Sequence, residues 1–336
     1  MQLSYLFFGH PTEPQASLVR QMGVRYAIAK LAPDLTGDLP PYDRDSLSRA
    51  KDRFADAGLE LIGLEGDQFD MNHIKFGKDG RDEDLARYRQ MLQNMGELGI
   101  RLLCYNFMAG IGWYRTHTET AERGGALVSS FDADYARALP LTEFGEVPEA
   151  TIWSNYEYFL QNVIPTAEQY GVQMALHPDD PPISPLRGIG RIFTNAEGVR
   201  RALALTDSPA HGLTFCQGTY TTMGEDVPAL IQEWKDRIRF VHIRDVAGTR
   251  EHFHETFHDN GPTDMATMLR CYRDAGFTGP LRSDHVPTMV GEDNTHFGYG
   301  MLGNLFGIGY IKGLLDGIAA NQSIPVNGHS QAVQIH

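Results

Sequence analysis

Residues 156–178 read YEYFLQNVIPTAEQYGVQMALHP. Apolar residues at helical spacing run up to Gly171, which stops the pattern, and VQMALHP follows as a short apolar run ending in a histidine. Glycine is the expected residue for a left-handed helix C-cap. An unbroken apolar run is how a strand buried on both faces reads. The same unit recurs along the chain. The strand candidates are LSYLFFG (3–9), YAIAKLA (26–32), ELIGLEG (60–66), RLLCYNFM (101–108), VQMALHP (172–178), HGLTFCQG (211–218), IRFVHIRD (238–245) and GPLRSDH (279–285). Helical patterns lie between them at 44–58, 82–99, 156–171, 196–205, 227–237 and 265–276, with a last one near 305–321. Gly58, Gly99, Gly171 and Gly276 each end a helix just before a strand.

Eight such units with right-handed crossovers close most naturally into a barrel. A doubly wound open sheet shows the same alternation and is the alternative. The expected fold is therefore α/β, a (β/α)8 TIM barrel with long loops after strands 4 and 7. Those loops, 109–150 and 246–262, leave the C-terminal face, where such barrels keep their active sites, and read as lids or substrate walls. Residues 1–321 form the expected single catalytic domain, and 322–336 a polar C-terminal tail.

The chain has 336 residues, which suits one barrel with insertions. Its 29 basic against 43 acidic residues, a net charge of −14, argue against nucleic acid or an anionic membrane as partner. No apolar stretch is long enough for a membrane span. The N-terminus lacks the basic region and cleavage site of a signal peptide. Three cysteines give no disulfide framework, and an odd count fits a reducing, cytoplasmic setting.

Four metal-competent residues fall at the ends of four consecutive strands: His177, Cys216, His242 and Asp284. Strand ends of a barrel converge on one mouth, so these side chains can meet although distant in sequence. Two imidazoles, a thiolate and a carboxylate suit Mn2+, Fe2+, Zn2+ or Co2+ rather than Ca2+. Singly, a barrel-end histidine reads as a wall residue and Cys216 as a small core hydrophobe; four in succession read as a site. Around them, HPDDPP (177–182) offers Asp179 and Asp180, at least one of them expected in a solvated turn. YNFMAGIGWYRT (105–116) offers Asn106, Trp113 and Arg115. Arg244 shares a strand face with His242, and Arg282 with Asp284, so either guanidinium suits a substrate carboxylate. HFHETFH (252–258) has the look of a zinc motif, but it is expected to lack the His-Glu-x-x-His spacing and is read as a lid segment whose His254 contacts substrate.

Several strings resemble the mannonate dehydratases of hexuronate breakdown: LCYNFM, WYRT, HPDDPP, GLTFCQG, VHIR, FHETFHDNG followed by DM, and SDH. They occur in the family's order across roughly residues 88–300. The resemblance implies a barrel with one divalent metal, Mn2+ or Fe2+, that converts D-mannonate to 2-keto-3-deoxy-D-gluconate and water. It assigns the metal to His177, Cys216, His242 and Asp284, and points to His285 and Tyr299 as the proton-transfer pair. Such chemistry needs a metal to neutralise the enolate-like intermediate, a base for the C2 proton and an acid for the departing C3 hydroxyl. Departures from the family pattern fall on the substrate side, where Lys30 stands near an expected histidine and the third strand ends in Glu65 and Asp67. The alternatives are a dehydratase of another aldonate, a metal-dependent sugar isomerase or epimerase of xylose-isomerase-like barrels, and a barrel that binds a ligand without catalysis. The partners expected are a small sugar acid and, through the apolar last helix, a second copy of the chain as a homodimer.

Overall fold

The computed structural model describes residues 1–320; residue 321 and the tail expected over 322–336 lie outside the described residues. Twelve strands are present among those residues: β1 (Gln2–Phe8), β2 (Tyr26–Lys30), β3 (Glu60–Glu65), β4 (Leu102–Tyr105), β5 (His117–Ala121), β6 (Leu127–Asp132), β7 (Gln173–Leu176), β8 (His211–Cys216), β9 (Ile238–Ile243), β10 (Val246–Gly248), β11 (His252–Glu255) and β12 (Pro280–Ser283). Eight of them close a parallel barrel in the order β1-β12-β9-β8-β7-β4-β3-β2. Every expected strand is in it, which removes the open-sheet alternative.

Burial follows from closure. All of β8 (HGLTFC) and β4 (LLCY) is buried, as parallel strands covered on both faces must be. Leu6, Ile28, Leu102, Cys104, Ala175 and Phe240 fill the barrel interior, while the larger apolar cluster lies between strands and helices. Polar side chains inside the barrel bond locally: Ser4 Oγ donates to the Leu281 carbonyl and Thr214 Oγ1 to that of Ala175. The four glycines that end helices all adopt positive φ, 66° at Gly171. Aspartates and asparagine cap the outer helices, with Asp43 accepting from Ser46 N and Asn195 from Gly198 N.

Two helices begin earlier than their pattern suggests. The fifth-strand helix spans Glu149–Tyr170, because Ile152, Trp153 and Asn155 are buried on the face that continues it. The last helix spans Met301–Ala320. No helix among the described residues is long and apolar enough to cross a membrane.

The two long connections are not loops without structure. They carry β5, β6, β10 and β11, which pair as one four-stranded antiparallel sheet in the order β10-β11-β6-β5. His252–His254 faces Asp132–Ser130 in register, so the insertion after barrel strand 7 is joined to that after strand 4. Its core is Phe131, Val246 and Phe253 with Ile183 and Leu186 from the connection after β7. A bridge from Leu127 to Thr288 adds the connection after β12. Four connections thus make one cover over the C-terminal mouth.

The helix Arg81–Glu97 crosses Glu149–Tyr170 at Gly96, where a Cβ would press on the backbone carbonyl and Cβ of Tyr170. Gly96→Ala is expected to lower the unfolding free energy by about 1–3 kcal/mol in urea denaturation. An unchanged midpoint would show slack at that crossing.

Candidate active site and metal centre

The mouth encloses a cavity of about 400 Å³, a volume within the usual range for small-ligand sites. Strand register brings the four sequence-identified ligands together: His177 and Asp284 line the cavity, and Cys216 and His242 lie buried beside them. Cys216 ends β8 and is the register partner of His242 on β9; His177 follows β7, and Asp284 follows β12. Donor atoms of His177, Cys216 and His242 all lie within 4.8 Å of one another. Asp284 Oδ2 is 3.6 Å from Cys216 Sγ and 3.8 Å from His242 Nδ1.

These residues fit a divalent ion. His177 Nδ1 donates to the Pro178 carbonyl at 2.7 Å, which leaves Nε2 with its lone pair free; a carbonyl partner on the other nitrogen is the usual support of a ligating imidazole. His242 Nε2 is buried with no hydrogen-bond partner, and Glu65 Oε2 stands 3.5 Å away. Burial opposes the charge on Asp284, but His285, Arg282, His242 and Arg244 outweigh it and hold the carboxyl well below its usual range. Two further groups could hold a cation, Glu65 with Cys104 and His242 at the same mouth, and Asp132 with Asp134 and His252 on the surface.

Behind the ligands lies a buried network of charges. Arg115 binds both oxygens of Asp180, at 2.6 and 2.9 Å, and Glu255 Oε1 at 2.6 Å. Arg244 binds both oxygens of Glu255, at 2.7 and 2.8 Å, Asp180 Oδ2 at 2.7 Å and Asp284 Oδ2 at 3.1 Å. Arg282 is held by Glu65 at 2.6 and 3.1 Å and lies 2.9 Å from Asp284 Oδ1. Burial would raise the Glu255 pKa, yet Arg244, His285 and Arg115 hold it at about 2. Glu65, likewise buried, is held at about 2 by Arg282 and His242.

The proton-transfer candidates stand on the cavity wall with Asn106 and Trp113. His285 Nδ1 is 3.0 Å from Glu255 Oε1; Nδ1–H donates to the ionised carboxylate, which leaves Nε2 as the reactive nitrogen. The Tyr299 ring lies 5.4 Å from that of His285 and 4.8 Å from Phe8. Burial and the neighbouring Asp284 raise its phenol well above the ordinary value, so it stays protonated. Trp113 covers His285 at 4.5 Å and stacks on Phe297 at 5.2 Å. Asn106 Oδ1 accepts from Lys75 Nζ and Met108 N, both at 3.0 Å, which leaves its amide nitrogen uncommitted.

Other expected contacts are placed differently. Arg115 and Arg244 do not line the cavity, and Arg282, which does, is already matched by protein carboxylates. Neither aspartate of HPDDPP is in a solvated turn; both are buried. Asp179 Oδ2 accepts from Phe193 N at 2.7 Å and ties down its own connection, while Asp180 reaches the cavity. His254 faces away, because Phe253 and Glu255 take the buried side of β11. His254-Glu255-Thr256-Phe257-His258 does have the His-Glu-x-x-His spacing. That spacing gathers two imidazoles only on a helix, and here it starts on a strand. His258 instead bonds the Ile243 carbonyl at 2.9 Å. Sequence reasoning missed Glu255, whose inward aim follows from its alternation with Phe253. It also missed buried Lys75, paired with Asp67 at 2.7 Å, and the wall residues Thr295, His296 and Phe297.

The sequence matches the family model for D-mannonate dehydratase (UxuA) over residues 1–143 and 136–324. A mannonate dehydratase of Enterococcus faecalis is 33% identical, covering 91% of this chain and 94% of its own. Mannonate dehydratase 2 of Halalkalibacterium halodurans is 31% identical, covering 95% and 100%. The crystal structure of a mannonate dehydratase from Streptococcus suis serotype 2 superposes with a TM-score of 0.88 at 28% identity, over 100% of this chain and 99% of that one. A D-psicose 3-epimerase from Clostridium cellulolyticum H10, at 12% identity and a TM-score of 0.60 over 95% and 99%, shares the fold alone.

A carboxylate whose folded pKa is depressed contributes stability that is present above its unfolded pKa and lost as pH falls through the folded one. For Glu255 that window runs from 4.5 down to about 2. Glu255→Gln is therefore expected to cost about 3–5 kcal/mol at neutral pH and to lose less further stability than the wild type across the window. Parallel acid-denaturation curves would remove Glu255 from this account.

Proposed function

The chain belongs to the D-mannonate dehydratase family, and on that premise we propose that it removes water from D-mannonate to give 2-keto-3-deoxy-D-gluconate with one bound Mn2+ or Fe2+. The observation that carries the reading is a cavity lined by His177, Asp284, His285 and Tyr299, with Cys216 and His242 buried beside it and their donor atoms clustered with that of His177. His177, Cys216, His242 and Asp284 would hold the ion. When bound, it supplies Lewis-acid polarisation of the sugar acid's oxygens.

His285 Nε2 takes the C2 proton, with Glu255 holding the imidazole in that tautomer. The C2–H electron pair forms the C2–C3 double bond as the C3 hydroxyl departs. Tyr299, kept protonated by its surroundings, gives its proton to that hydroxyl, so water leaves and an enol remains. The enol tautomerises to the 2-keto acid. Asn106 and Trp113 contact the substrate and keep bulk water away. Arg115, Asp179, Arg244 and Arg282 hold the walls in place.

An isomerase or epimerase would draw on Glu65 as a free carboxylate, but Arg282 occupies both its oxygens. The three free thiols fit the expected reducing, cytoplasmic setting, and the last helix exposes Leu302 and Leu305 where a homodimer contact would form.

Anaerobic, Mn2+-reconstituted protein is expected to form a 2-keto-3-deoxy acid from D-mannonate. His177→Ala and Asp284→Ala should abolish this together with tight metal binding. His285→Asn and Tyr299→Phe should keep the metal and lose roughly 100- to 10,000-fold in kcat. Product from a C2 or C3 epimer alone would move the substrate; no keto acid from any aldonate, with metal bound, would overturn dehydration.

A further inference from the structure

Charge matching around the cavity leaves one cation over. Four ionised carboxylates, Glu65, Asp180, Glu255 and Asp284, face three guanidiniums, Arg115, Arg244 and Arg282. Lys75 is matched by Asp67. Each of these charges has a partner of opposite sign within hydrogen-bond reach. Lys30 also lines the cavity, half-buried at the end of β2. Among the described residues its ammonium forms no ion pair with any carboxylate, and its stem lies over Gly66. Of the lysines and arginines that line the cavity, Lys30 is thus the one without a carboxylate partner among the described residues.

Its position is as informative as its charge. In the closed strand order β2 stands four places from β8 in either direction, so Lys30 is diametrically opposite Cys216. Phe8 is the register partner of Lys30, and Tyr299 packs on Phe8. Around the mouth the order is therefore Lys30, then Tyr299 and His285, then the metal donors. A sugar acid laid along that arc puts its carboxylate within reach of Lys30 and its C2 and C3 beside the proton-transfer pair.

We propose that Lys30 is the counter-ion of the substrate's single carboxylate and sets the pocket's preference for aldonates over uncharged polyols. The inference rests on the sugar-acid reading above but not on D-mannonate being the acid. A flexible ammonium suits this role, since the arginines beside it are already engaged in bidentate pairs.

The test is calorimetric binding of D-mannonate, D-gluconate and D-mannitol to the Mn2+-loaded Tyr299→Phe protein, with and without Lys30→Met or Lys30→Arg. Losing one charge-assisted hydrogen bond should weaken aldonate binding roughly 10- to 100-fold. Mannitol binding should be unchanged, and Lys30→Arg should restore most of the aldonate preference. In the Tyr299 background, KM should rise in Lys30→Met with little change in kcat. Aldonate binding unaffected by Lys30→Met, or aldonate and mannitol weakened equally, would overturn the proposal. If the intact enzyme fails to dehydrate D-mannonate while the Lys30-dependent aldonate preference persists, the function falls and the role of Lys30 stands.

Discussion

The structure of the mouth depends on one buried contact set, in which Arg115 and Arg244 clamp Asp180 and Glu255 between them. Each of the four side chains is essentially sealed from water. A buried charge is tolerated only when matched with good geometry, and removing one partner leaves the others desolvated without compensation. The members come from three connections: Arg115 from that after β4, Asp180 from that after β7, and Arg244 and Glu255 from the two sides of the insertion after β9. The quartet therefore locks separate loops into one body. Arg244 passes the constraint on to Asp284, so a ligand position is fixed by the cover as well as by its own strand.

Much of this was legible in the sequence, and the reason is geometric. A parallel barrel sends every strand's C-terminal end to one rim, so His177, Cys216, His242 and Asp284 needed only correct strand assignment to be brought together. Each strand was assigned from its apolar run, four of them also from the glycine before them, and all eight are present. The insertion sheet was less legible. HTETA and LVSSFD flank Arg123-Gly124-Gly125, a turn signal, but β5 alternates only weakly between half-buried and exposed positions. On its other side β6 pairs with β11, which lies more than a hundred residues away.

The arginines show what sequence cannot settle by face alone. Strand alternation put Arg244 with His242 and Arg282 with Asp284, and both pairs do share a face. Whether a guanidinium on that face meets a ligand or a protein carboxylate depends on Glu255, Asp180 and Glu65, which reach it from other strands and loops. Glu255 was obscured because the histidines around it drew attention to the wrong face of β11; Phe253, buried two residues earlier, marks the right one. The His-Glu-x-x-His string has the same lesson, since a spacing acquires chemical meaning only with the secondary structure that supports it.

A group whose charge is already matched contributes shape but little discrimination, because binding a ligand would require breaking a buried pair. By that argument the matched arginines, although nearest the metal donors, are scaffold. Recognition falls to the groups left over: the amide nitrogen of Asn106, Nε2 of His285, the phenol of Tyr299 and the ammonium of Lys30. Trp113 and Phe297 roof this set with stacked rings. By excluding water they lower the local dielectric, which strengthens every unmatched polar group toward a ligand. It also raises the cost of admitting a molecule that leaves one of them unpaired. The cavity therefore selects by the groups its own fold did not satisfy, and the extensive pairing beneath them keeps those few in place.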